Sequence, residues 1–138
     1  MIYKLIYTRK ILKICRKVDT DTCERCNTHV EDFKHLLWEC RYSRDIWTEV
    51  EKQINERYNI ILDLKYHTML LGINEKTNKN HKAINTIIMT VKKRICYMER
   101  LKCSLPNNIK SLIDIRINTE KYIEKKQKKT TSKWDIII

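Results

Sequence analysis

A single glycine and a single proline in 138 residues argue against a turn-dense β-sandwich. They also leave no Gly-rich loop of the kind that cradles phosphate in P-loop or dinucleotide-binding folds. No apolar run approaches the roughly 20 residues that a bilayer span requires. The first stretch is broken by Lys4, Arg9, Lys10 and Lys13, so it lacks a secretory apolar segment. Acidic residues are few, 17 against 29 Lys plus Arg. Asp19-x-Asp21 is the nearest approach to paired carboxylates, and it reads as turn chemistry. No Tyr-x-Asp-Asp sequence, which polymerase chemistry would use to hold magnesium, occurs. These absences predict an all-α chain with no enzymatic activity and no membrane span, in a reducing, intracellular compartment. There, six cysteines point to metal ligation in preference to disulfides.

The net charge of +12 calls for a polyanionic partner, RNA or DNA ahead of an anionic membrane surface. It is unevenly spread. Residues 1 to 18 carry +6, residues 19 to 63 carry −5, and residues 65 to 138 carry +11. The candidate phosphate contacts are therefore the bases of the last part: Lys92, Lys93, Arg94, Arg100, Lys102, Lys125 and Lys126, with Tyr97, Tyr122 and Trp134 interleaved to stack on bases.

Periodicity supplies the elements. Ile2, Leu5, Ile6, Ile11, Leu12 and Cys15 predict a basic amphipathic helix within residues 1 to 18, its apolar stripe facing the core. Thr28 with Glu31 three residues on fits a capping box for a helix from about Val30 to Glu39. Ile46, Trp47, Val50 and Ile54 mark one face of a second helix, with Ser43 as its N-cap. Residues 59 to 80 read as helix or irregular chain, with Gly72 as an αL helix stop. Ile84, Ile87, Ile88, Val91, Ile95, Met98 and Leu101 hold a 3.6-residue period from His81 to Lys102, the clearest helix in the chain. Pro106 suits the first turn of a last helix running to about Lys126, which forms a hairpin with the previous one. Cys15, Cys96 and Cys103 read as small buried apolar residues. The expected division is a helix plus knuckle over 1–58, a basic helical region over 59–126 and a disordered tail over 127–138.

The one stretch where residue type and spacing together imply a particular chemistry is Cys23-x2-Cys26-x8-His35-x4-Cys40. Three thiolates and an imidazole suit tetrahedral Zn2+, and four protein ligands describe a closed, structural site. His29 is the competing ligand. It would lie inside the capping turn and leave His35 unexplained, so His35 is preferred.

Cys23-Glu-Arg-Cys26, the acidic Glu31-Asp32, His35-Leu36-Leu37-Trp38-Glu39-Cys40 and Trp47 resemble the zinc-binding region that follows the reverse transcriptase in LINE-type, jockey-like non-LTR retrotransposons. Leu70-Leu71-Gly72 and the Ile84 to Leu101 helix are similar to the segments after the knuckle in that family. The resemblance thus spans roughly residues 5 to 126 and is strongest at the knuckle. It implies Cys23, Cys26, His35 and Cys40 as ligands and Trp47 as a structural residue packing the second helix on the knuckle. It also implies upstream polymerase and endonuclease domains as partners, and assistance in RNA or DNA binding. Since those domains are missing from this sequence, the chain is expected to be a C-terminal fragment. A structural module docking on the polymerase body is the alternative.

Overall fold

A computed structural model describes residues 8 to 101 and 109 to 137, with side chains for all of these but 97 to 101. The chain is all-α. A short α1 (Arg9–Ile14) precedes a Cys/His loop and a wide helical turn (His35–Glu39). Then come α2 (Arg41–Tyr58), α3 (Tyr66–Leu71), α4 (His81–Leu101) and α5 (Ile109–Lys126). The three long helices contact one another pairwise, and the wide turn rests on α2 and α4.

The apolar periodicity explains this packing. Ile46, Trp47, Val50 and Ile54 of α2, Ile84, Ile87, Ile88, Val91 and Ile95 of α4, and Ile109, Ile113 and Ile117 of α5 are all buried in one cluster. Each helix contributes one stripe, and three stripes close the core. Met98, Leu101, Cys103 and Pro106 fall outside the described residues or side chains.

The same cluster takes in Leu37 from the knuckle and Trp134 from the tail, so the expected boundaries at 58/59 and 126/127 do not separate cores. The tail is the larger correction. Trp134 is only 4% exposed. Asn80 clasps Ile137, its Nδ2 donating to the Ile137 carbonyl (3.2 Å) and its Oδ1 accepting from the Ile137 N–H (2.9 Å). Lys133 lies 2.6 Å from Glu120, and the Ser132 hydroxyl donates to Glu124. Lysine-rich composition suggests disorder, but one buried indole and a two-point amide clasp, closed across 57 residues of sequence, hold the segment on the bundle.

Three further expectations change. Within α1, Ile11 and Ile14 are exposed (41% and 74%) and no residue is buried. The described part of that helix thus has no core-facing stripe, and Cys15 is exposed. Ser43 lies inside α2, buried, and does not cap it. Gly72 has φ +82° as expected of a helix stop, but its ψ of −174° is extended and not αL. Asn85 dictates this geometry. Its Oδ1 accepts from the Ile73 N–H and its Nδ2 donates to the Ile73 carbonyl, both at 2.8 Å. A Cβ at position 72 would meet that amide oxygen at 2.7 Å.

Trp134→Ala should lower stability by roughly 3 kcal/mol, the usual cost of emptying a buried aromatic site. The shift in the urea midpoint measures it, and a loss below about 1 kcal/mol would show that the tail is no part of the core. Gly72→Ala should cost at least about 1 kcal/mol, since both the positive φ and the Asn85 contact oppose a side chain. An unchanged melting temperature would contradict that.

Candidate metal centre

The centre is built from three local devices. An antiparallel bridge between Thr22 and Val30 closes the loop, with the Cys23 N–H donating to the His29 carbonyl and the Glu31 N–H to the Asp21 carbonyl, each at 2.8 Å. Inside it, Cys23 to Asn27 forms a tight turn. The Asn27 N–H donates to the Cys23 carbonyl (2.8 Å), and Asn27 takes φ +56°, a left-handed conformation that asparagine tolerates. This turn holds Cys23 and Cys26 side by side.

The third device supplies His35 and Cys40. The capping box at Thr28 and Glu31 is not formed. Asp32 takes the capping position, its Oδ1 accepting from the His35 N–H at 2.7 Å, and the helix begins at Phe33 and not at Val30. From His35 it widens into a π turn in which the Cys40 N–H donates to the His35 carbonyl (2.9 Å). In an α-helix, residues five apart point about 140° away from each other. The i→i+5 bond widens the turn and narrows that angle, which brings both side chains to one side. Cys40 then leaves helical geometry (φ −58°, ψ 133°) and serves as the N-cap residue of α2.

Ending a helix at Cys40 exposes carbonyls that would otherwise bond the next turn, and α2 supplies their partners. The Ser43 hydroxyl donates to the Leu36 carbonyl (2.6 Å), and the Trp47 indole N–H donates to the Leu37 carbonyl (2.6 Å). Arg25 adds a guanidinium bond to Leu36 O and another to Ser43 Oγ, both 3.3 Å. Trp47, 2% exposed, thus ties α2 to the knuckle by a hydrogen bond as well as by packing. Glu31 is fully buried and reaches across to α1, its Oε1 accepting from the Arg9 N–H at 3.0 Å. A carboxylate at that helix N-terminus is favourable.

As a result, the ligand atoms of Cys23, Cys26, His35 and Cys40 all lie within 4.8 Å of one another. Cys23, Cys40 and His35 are buried and Cys26 is partly exposed. Cys26 Sγ is 3.3 Å from His35 Nε2. A tetrahedron with metal–sulfur bonds of about 2.3 Å has edges of about 3.8 Å, so a small contraction around an ion completes the geometry. This is the one such cluster among the described residues. His29 is outside it: exposed, its Nδ1 2.7 Å from the Thr28 hydroxyl and its ring stacked at 5.4 Å on His35.

The electrostatics fit a cation. Burial pushes the Cys23 thiol up to about 12. The N–H groups of Cys26 and Arg25 pull against this, and nearby Cys40 adds to it. Burial also raises Cys26, but hydrogen bonds from the side chains and backbones of Thr28 and His29 outweigh it and hold the thiol down to about 5. A divalent ion at the centre removes the reason for the upward shift at Cys23, because a coordinating thiol is deprotonated outright. The N–H groups aimed at both sulfurs would then fix the ligand geometry.

The basic residues expected to bind nucleic acid are not brought together in this way. Lys93, Lys125 and Lys126 are exposed, and Arg94 is half-buried. Lys92 is a correction. It is 8% exposed, and its Nζ donates to the Leu70 carbonyl at 3.1 Å. It caps the C-terminus of α3, with desolvation lowering its pKa. Trp134 is likewise buried and unavailable for stacking. The side chains of Tyr97 and Arg100, and all of Lys102, lie outside the described residues. Among the described residues no helix is long and apolar enough to cross a membrane.

Comparison of the chain with protein-family models, with curated proteins and with solved structures finds no match.

The chain should take up one equivalent of zinc, and His29→Ala should keep it. Cys23→Ser or His35→Ala should lose it, along with much of the helical circular dichroism around the knuckle, because structural zinc contributes on the order of 10 kcal/mol to folding. Zinc lost with His29→Ala and retained with His35→Ala would reverse the ligand assignment.

Proposed function

We propose that this chain is a zinc-stabilised, non-catalytic helical module that binds RNA or DNA inside the cell, as an accessory region of a non-LTR retrotransposon reverse transcriptase. The Cys23/Cys26/His35/Cys40 cluster carries the reading, since it is the closed four-ligand arrangement of a structural site. The metal ligands lie in the acidic segment, so the task of the ion is folding, and the basic helices supply phosphate contacts. The exposed Lys93, Lys110, Lys121, Lys125 and Lys126 of α4 and α5, with Lys128 and Lys129 beyond, support this. Tyr122 is 62% exposed, and Lys126 Nζ lies over its ring, 5.5 Å from the centroid, a pairing suited to a phosphate beside a stacked base.

A second reading has one observation in its favour. Ile14, Ile61, Leu71 and Ile115 are 65% to 101% exposed, and such apolar surface suits docking on a polymerase body. Self-association of the isolated chain, suppressed by the polymerase domain, would favour that reading.

Binding of the zinc-loaded chain to single-stranded RNA and DNA across a salt series tests the proposal. The logarithm of the affinity should fall linearly with the logarithm of salt concentration. Lys125→Ala combined with Lys126→Ala should weaken all sequences alike and reduce the slope by about 1.4, or about 0.7 for each phosphate contact on a single strand. A flat salt dependence would sink the nucleic-acid reading.

A further inference from the structure

The knuckle carries an aromatic and basic surface that the charge distribution along the sequence does not reveal. Trp38, at the end of the wide turn, and Tyr66, the first residue of α3, meet with ring centroids 6.2 Å apart and planes tilted by 55°. Both are partly exposed. Each carries a cation on its ring: the Arg44 guanidinium carbon lies 4.5 Å from the Trp38 centroid, and Lys34 Nζ lies 5.1 Å from that of Tyr66. Arg44 and Lys34 are exposed. Lys34 also sits 3.4 Å from Glu39, an ion pair between side chains about half exposed, which holds it only weakly. Trp38 is backed by Trp47 at 6.3 Å, so the indole is held in place.

We propose that Trp38 and Tyr66, flanked by Arg44 and Lys34, form a stacking platform for unpaired bases of a single-stranded nucleic acid. This rests on the nucleic-acid reading above and adds a site to it. The two rings are too tilted to hold a base between them, so bases stack on the ring faces that the cations now cover. Relative strengths allow the exchange. An exposed cation–π contact is worth about 2- to 5-fold in an equilibrium constant, whereas a stacked base is worth about 5- to 150-fold. A base therefore displaces the flexible cation, and the cation, still tethered beside the ring, meets the phosphate next to that base. A duplex, whose bases are already stacked, gains nothing from the rings.

The full zinc-loaded chain would be titrated with a short oligothymidine strand and with a DNA duplex of equal length. Trp38→Leu, which keeps apolar contact with the core, should weaken single-strand binding by about 10-fold and leave duplex binding and the salt slope as in the parent. Arg44→Ser should reduce the single-strand salt slope by about 1. Indole emission offers a separate readout. Trp47 and Trp134 are buried, so quenching by the strand should come from Trp38 and vanish in Trp38→Leu. Retained zinc and an unchanged melting temperature establish that the variant is folded; if it is not, Tyr66→Leu with the same pair of ligands decides. Equal single-strand affinity in parent and Trp38→Leu, alongside weakening by Lys125→Ala with Lys126→Ala, would overturn the platform and leave the broader function standing. Equal weakening for strand and duplex would also overturn it. No binding by the parent chain would remove both.

Discussion

Cys40 is the point on which the structure turns. Its N–H closes the wide turn on His35, its sulfur completes the four-ligand cluster, and its extended backbone begins α2. A regular α-helix through this segment would carry His35 and Cys40 to different sides and dissolve the cluster. The wide turn solves that problem and creates another, since the carbonyls of Leu36 and Leu37 sit at a helix end inside the protein. Ser43 and Trp47 answer from α2. The metal centre and the helical core are therefore joined by hydrogen bonds from α2 to the carbonyls of the wide turn.

The remaining architecture repeats one device at its irregular joints. Asn85 binds both backbone groups of Ile73 where α3 meets α4, and Asn80 binds both groups of Ile137 where the tail returns. A side-chain amide presents an acceptor oxygen beside an NH2 donor, so it can pair with both backbone groups of one residue where no strand partner exists. Lys92 works similarly at the end of α3, giving a helix C-terminus a cation and a donor. Polar residues that look like surface chemistry in a sequence are spent here on satisfying backbone groups.

Charge divides differently. The segment that holds the ligands is acidic overall, whereas α4, α5 and the residues beyond are basic and carry exposed lysines. The knuckle nonetheless carries Lys34 and Arg44 on aromatic rings, a local basic patch concealed by the average. Net charge over a segment reports its long-range field, while stacking and phosphate contact depend on which side chains share a face.

The Cys/His cluster, the apolar stripes of α2 and α4 and the helical class were legible in the sequence, because ligand intervals and a 3.6-residue period are one-dimensional signals. The start of the helix at Phe33, the fate of Ser43 and Glu31, and the burial of Lys92 and Trp134 were not. Each depends on a partner distant in sequence: Leu36 for Ser43, Arg9 for Glu31, Leu70 for Lys92, and the bundle itself for Trp134. Sequence by itself determined which residues could bind metal and that one face each of α2 and α4 had to be buried. Tertiary structure decided which polar side chains were drawn inward, since a helix end or a returning tail must find hydrogen-bond partners wherever the packed neighbours place them.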